Sequence, residues 1–312
     1  MIDRQVTGLM GHGKLSAPQA DREGARLSAP TVRRRRLGTK LRELRDDLGL
    51  TLEDVAELSK GKVTVAKLSR LELAKSAAKP ADVEMLLGLY GAADDEMTSA
   101  LVDLTREGAQ RGWWHSYRGI LTPTYEDLIS LEAEASTIKT WNLGAVPGLL
   151  HTSEYAGAII RATAMSEAVE AKVDALVAVR LARQSVLTRS TNPLTLWAII
   201  AEGALRTKDV DGEVMYEQLG KLLSMSKRDN VNIAIVQSDA PLHVGQLGSF
   251  SLLSFAGRAD LDVVHTETLT AALYVEDRDQ VAVYRDAMER LTSAAESSQA
   301  SAELITEIRK AL

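Results

Sequence analysis

The chain has 312 residues, a formal net charge of −6, 45% apolar residues and no cysteine. Such values fit a globular protein able to bury a core, and the missing thiols exclude disulfides, thiolate nucleophiles and cysteine-type zinc sites. The charge is uneven: residues 32–79 hold 13 Lys and Arg against 7 Asp and Glu, a balance of +6 that leaves −12 on the remainder, so a polyanion is drawn to one end and repelled by the rest.

Residues 1–31 carry Gly8, Gly11, Gly13, Pro18, Gly24 and Pro30 without a sustained period, which reads as a mobile tail. From Val32 to Leu48 the apolar positions Val32, Leu37, Leu41, Leu44 and Leu48 recur at helical intervals between Arg33 to Arg36, Lys40, Arg42 and Arg45. That pattern predicts an amphipathic helix with a basic outer face, ended by Gly49. Thr51-Leu52-Glu53-Asp54 sets a hydroxyl three residues before a carboxylate, a capping box for a second helix with Leu52, Val55, Ala56 and Leu58 facing inward. Gly61 supplies the next turn and Thr64 caps a third helix. Pro80 opens a fourth, with Asp82 and Glu84 in its first turn, a buried stripe of Val83, Leu86, Leu87 and Tyr90, and a stop at Gly91.

A helix over 94–107 leads to Trp113-Trp114-His115-Ser116-Tyr117, an aromatic cluster that reads as a hinge over 109–124, either packed at a junction or offered as a ligand-stacking platform. Helices are expected over 125–140 and 153–187, then strands over 194–201, 231–237, 250–255, 261–266 and 272–275, with a helix over 214–226 among them and two closing helices. This is an α+β pattern: an all-α helix-turn-helix unit over 32–108, then a larger regulatory domain over 125–312 with a mainly antiparallel sheet. The first residues lack the apolar core of a signal peptide, and no apolar run nears the roughly 18 to 20 residues that span a bilayer. The expectation is a cytoplasmic, nucleoid-associated protein that makes no membrane contact.

In a helix-turn-helix unit the start of the third helix reaches base edges in the major groove. Those positions are Thr64, Val65, Ala66, Lys67 and Arg70. Lys67 and Arg70 suit the acceptors of guanine, and Val65 and Ala66 suit a thymine methyl; either cation can serve a phosphate instead. Arg34, Arg35, Lys40, Thr51, Lys62, Lys75 and Lys79 are the phosphate candidates.

These residues also carry a resemblance. Leu52-Glu53-Asp54-Val55-Ala56 followed by Lys67-Leu68-Ser69-Arg70-Leu71-Glu72 resembles the helix-turn-helix of bacterial regulators of the xenobiotic-response-element (XRE) type, with a departure at Ala74, where Gly commonly follows. Segments 146–155, 180–184, 196–205, 248–251 and 264–268 resemble successive motifs in the C-terminal domain of antitoxin-like (Scr-type) actinobacterial regulators, with His265 where Tyr is usual. The resemblance spans about residues 33 to 312. It implies a transcriptional regulator, often encoded beside a small partner protein and tied to development and antibiotic production, whose C-terminal domain has no agreed activity.

Within that domain, Trp113, Trp114, Arg180, Arg183, Gln184, Glu202 and Glu267 are the candidates for a partner or ligand site. Arg180, Arg183 and Gln184 share a helical face, so with Glu202 and Glu267 they either bind a partner or form buried ion pairs; pairing is the reading adopted. Trp197 and Phe250 read as core, and Pro147-Gly148 as a turn beside aliphatic residues that can belong to a docking surface. Five histidines lack metal-binding spacing, and no Gly-Lys-Ser/Thr phosphate loop occurs. Glu126, Asp127, Glu132 and Glu134 are spaced as a solvated helix face. The expectation is a DNA-binding regulator with no catalytic residue, cofactor or metal, bound as a homodimer to double-stranded DNA. Two alternatives stand beside it: an antitoxin-like protein that primarily masks a small partner protein, and a regulator gated by a small-molecule ligand.

Overall fold

A computed structural model describes residues 31–92, 95–105, 113–117, 119–164, 166–256, 261–268 and 271–312. The expected tail lies outside these residues except for Thr31, as do the ends of the helix expected over 94–107 and residues 109–112 and 118 of the expected hinge.

Five helices come first: α1 Val32–Asp47, α2 Leu52–Leu58, α3 Val65–Glu72, α4 Pro80–Leu89 and α5 Asp95–Thr105. Threonine side chains start the first three. Thr31 accepts from the Arg34 amide, Thr51 and Asp54 close a full capping box, and Thr64 accepts from the Lys67 amide; each pairs a backbone donor that the helix itself leaves open.

The first four helices end alike, in Schellman motifs. The residue after the cap is left-handed, and the next amide reaches back to close the last turn: Gly49 with Leu50 to Arg45 O, Lys60 with Gly61 to Ala56 O, Ala74 with Lys75 to Arg70 O, and Gly91 with Ala92 to Leu87 O. The sequence assigns the turn after α2 to Gly61, but Lys60 takes the left-handed position at φ 54°, and Gly61 follows at 76°. Ala74, at φ 55°, adopts the conformation that glycine would take, so the exit of α3 is not extended.

Leu37, Leu41, Val55, Val63, Leu68, Leu71, Val83, Leu86 and Leu87 form the core of this bundle. Leu48 and Leu58, expected inside, are 51% and 50% exposed. Backbone crosses backbone where α1 meets α3: a Cβ on Gly38 would lie 2.7 Å from the carbonyl oxygens of both Leu71 and Glu72. The buried Arg45 guanidinium grips the Glu72 carboxylate through Nε and Nη2 at 2.7 and 2.8 Å, fixing α3 against α1 a second time.

An α+β region follows: α6 Pro123–Glu134, β1 Thr137–Asn142, α7 Ser153–Ala162, α8 Glu167–Glu170, α9 Val173–Arg183, β2 Thr195–Ala201, α10 Gly212–Met225, β3 Val231–Val236, β4 Phe250–Ser254, β5 Val263–Glu267, β6 Ala272–Val275, α11 Arg278–Ala294 and α12 Ser298–Lys310. The six strands form one sheet in the order β3-β2-β1-β4-β5-β6. Pairings β1–β2 and β2–β3 are parallel and the other three antiparallel, so the sheet is mixed and mainly antiparallel, and the fold is α+β as expected. The helix expected over 125–140 ends at Glu134, and its last residues are β1, a central strand. The helix expected over 153–187 divides into α7, α8 and α9.

Strand alternation gives the sheet two apolar faces. Ile138, Leu196, Ile200, Ile233 and Leu253 pack with Leu219, Leu222, Ile305 and Ile308 of α10 and α12. Trp141, Ile199, Phe250, Leu252 and Val264 pack with Val281, Met288 and Leu291 of α11. Trp197, expected in the core, is 39% exposed, while Trp141 is fully buried and donates from Nε1 to Gly245 O at 2.8 Å. No helix among the described residues is long and apolar enough to cross a membrane.

α1 also ties the two regions together. Val32 enters the sheet-side core, Leu261 enters the helical core, and Phe255 packs against both. The basic run expected on an outer face turns inward here. Arg33 pairs with Glu134, and Arg35 Nε meets Glu276 Oε1 at 3.2 Å. Arg36 Nη2 donates to Leu261 O at 2.8 Å while its guanidinium lies 4.0 Å from the centre of the Phe255 ring. Burial pushes the Arg36 pKa down to about 10 against the pull of Glu134 and Glu276, which leaves it charged at neutral pH.

Candidate nucleic-acid interface

The start of α3 faces outward. Leu68 and Leu71 bury its inner side, at 0% and 3% exposure. Thr64, Ala66 and Arg70 are exposed, and Val65 and Lys67 are half-buried. Lys67 Nζ is held 2.7 Å from Asp82 Oδ1 on α4. Among the described residues Arg70 makes no ion pair, which leaves its guanidinium available to a ligand. Lys60, Lys62, Lys75 and Lys79 are exposed, and Thr51 is exposed while closing its cap. Lys60 and Asp82 were not among the sequence candidates.

Three of the phosphate candidates stand elsewhere. Arg35 is engaged with Glu276, and Lys40 meets Glu43 at 3.4 Å with its side chain 14% exposed, beside Leu261 and Asp262. Arg34 is half-buried against Leu37 and Leu71. The cause is common to all three: these positions of α1 face other parts of the fold, where carboxylates or apolar side chains meet them.

In the α+β region the candidates do not form one constellation. Arg183 meets Glu132, through Nε and Nη2 at 2.8 and 2.6 Å, and donates to the Tyr125 hydroxyl. Burial opposes the Arg183 charge, but Glu132 and Tyr125 more than offset it and hold the pKa above its usual value. Glu202 instead pairs with Arg206 at 2.6 Å and accepts from the Ser238 amide. Glu267, largely exposed, lies 3.7 Å from His265. Glu132 and Glu134, read as a solvated face, are therefore the carboxylates that neutralise Arg183 and Arg33. Trp114 packs with Leu121, Ile129, Val179 and Tyr125, and Trp113 meets it edge-on at 5.9 Å.

Arg180 and Gln184 belong to a network around His151, a residue sequence reasoning passed over. His151 Nε2 lies 2.6 Å from Val146 O, Arg180 Nη1 lies 3.4 Å from Nδ1, and Gln184 Nε2 and Lys221 Nζ both donate to His151 O. The carbonyl of Val146 requires a proton on Nε2, and the arginine requires a lone pair on Nδ1, so the ring is neutral. Burial and then the Arg180 charge push its pKa down to about 3. Val146, Leu149 and Leu150 are buried, so the aliphatic residues beside Pro147-Gly148 hold this turn in the core and offer no docking surface.

Two matches to known protein families bear on this geometry. Residues 36–101, which span α1 to α5, match a helix-turn-helix domain family, and residues 125–307 match the family described as a domain of unknown function (DUF5753). No curated protein and no solved structure matches the chain at a significant level. With more than half of its length matched, the chain belongs to the DUF5753 family, and the match to a helix-turn-helix domain lies before that region.

Proposed function

We propose that this protein is a sequence-specific transcriptional regulator that binds double-stranded DNA as a homodimer and controls its own or neighbouring genes. The observation that carries this reading is the helix-turn-helix match over 36–101 together with the outward-facing start of α3, where Thr64, Ala66 and Arg70 are exposed. Two copies related by a two-fold axis set their recognition helices about 34 Å apart, in successive major grooves of a palindromic site. The α+β region serves dimerisation and the sensing of a partner or ligand.

Selection of fragmented genomic DNA on the purified protein tests this, in roughly 150 mM salt so that purely electrostatic binding is suppressed. A symmetric motif upstream of its own gene or a neighbour is expected, and recovery of no enriched sequence overturns the proposal. Residue roles separate in the same assay. Arg70→Ala lowers preference for the best site, whereas Lys62→Ala weakens binding to all DNA about equally and reduces the salt slope by about one.

A further inference from the structure

Asp82 lies in the first turn of α4, where Pro80 holds the first helical position and the Asp82 amide donates to Lys79 O at 2.9 Å. That turn places its carboxylate against α3. Asp82 Oδ1 receives Lys67 Nζ at 2.7 Å, with the Lys67 side chain 35% exposed and that of Asp82 16% exposed. Of the two side chains, that of Asp82 is thus the less exposed. Arg70, one turn further along α3, is exposed and has no ion pair among the described residues.

We infer that Asp82 is a specificity-determining positioning residue, which fixes the Lys67 ammonium so that it reads guanine in the major groove instead of wandering to a phosphate. This inference rests on the DNA-reading proposal above. A lysine on a free four-carbon stem is a mobile point charge, and the strongest nearby anion on DNA is the backbone. Asp82 changes both properties. It orders the side chain before binding, and it offsets the charge, so Lys67 releases few counterions on contact. An ammonium has three donors; one is committed to Asp82 and two remain for O6 and N7 of a guanine.

The experiment compares wild type, Asp82→Asn, Lys67→Ala and the double variant in the full chain. Each is titrated with the best genomic fragment, its single base-pair variants and random DNA over a salt series, and thermal unfolding checks that each is folded. Asp82→Asn is expected to lower discrimination at one G·C pair about tenfold. It should at the same time tighten binding to random DNA and steepen the salt slope by about one. In the Lys67→Ala background the same substitution should leave base preference unchanged. If Asp82→Asn does not fold, Asp82→Glu keeps the charge but displaces the carboxylate, and should lower discrimination without steepening the salt slope. Unchanged discrimination in the Asp82 variant overturns the inference alone, as does an equal loss with and without Lys67. A wild type with no sequence preference overturns the DNA-reading proposal beneath it.

Discussion

Lys60 and Ala74 flank α3, and both hold left-handed backbone, at φ 54° and 55°. For an L-residue that conformation costs roughly 1–2 kcal/mol, yet each closes the Schellman motif that ends its helix. The two sites should answer differently to glycine. Lys60 is exposed, so Lys60→Gly relieves the strain and loses only roughly 0.5–1 kcal/mol to the greater freedom of the unfolded glycine. A net gain of about 0.5–1 kcal/mol is expected from urea unfolding, and a loss there would show that the backbone at Lys60 is not strained. Ala74 is 4% exposed, so its glycine variant also gives up a buried methyl worth about 0.8 kcal/mol. That additional loss offsets most of the relief, and Ala74→Gly should lie within about 0.5 kcal/mol of wild type.

At the scale of elements, the contact between α1 and α3 sets where α3 points. The oxygens facing Gly38 are backbone carbonyls at 2.7 Å from an added Cβ, so no side chain can swing aside and the helices must separate. Gly38→Ala is expected to destabilise the protein by about 1–3 kcal/mol and to weaken binding to the best DNA site more than to random DNA. Gly88→Ala on α4 is the control: an added Cβ there meets nothing within 4 Å, and the better helix propensity of alanine stabilises by up to about 1 kcal/mol. An equal effect of both substitutions on the urea midpoint would refute close packing at Gly38. The helical elements of this region were legible in sequence because caps are local chemistry: Thr51 and Asp54, or Pro80 and Gly91, act within one turn of their helix. β1 was not legible. Thr137-Ile138-Lys139-Thr140-Trp141-Asn142 sets its two large apolar residues, Ile138 and Trp141, three apart, which is a helical interval, and it follows α6 after only Ala135 and Ser136, so a helical period carries on through it. The fate of Arg33 to Arg36 was equally hidden, since Glu134 lies 101 residues from Arg33 and Glu276 lies 241 from Arg35. A run of arginines announces its charge and says nothing of which carboxylates will meet it. At the candidate interface, the sequence marked Lys67 and Arg70 on α3, but the ion pair that separates them comes from a different helix.

Over the whole molecule, the junction at α1 and the network at His151 bind protons in opposite senses, and the pH dependence of stability should separate them. His151 falls from 6.5 to about 3 in the fold, and burial lowers His265 as well. Between about pH 6.5 and 3 the unfolded chain therefore carries a proton at His151 that the native state refuses, so stability falls as pH drops through this window. Each such group contributes up to about 1.4 kcal/mol per pH unit. Glu276 acts in reverse. Burial pushes its carboxyl from 4.5 up to about 7 even though Arg35 and Arg36 pull it down, so between those values the native state binds a proton that the unfolded chain lacks, and stability rises as pH drops. The His151 effect and the Glu276 effect oppose each other from pH 6.5 to 5, and the lowering of His265 acts in the same sense as that of His151. Urea unfolding free energy is expected to decline modestly over that range in the wild type. Glu276→Gln removes the opposing group and should steepen the decline by up to about 1.4 kcal/mol per pH unit, while His151→Asn should flatten it by a similar amount. The slope is the readout because both variants also lose native hydrogen bonds, which shift stability by a constant at every pH. Parallel slopes in all three proteins would mean that neither group changes its proton affinity on folding, and that Glu276 sits ionised in its pair with Arg35 throughout.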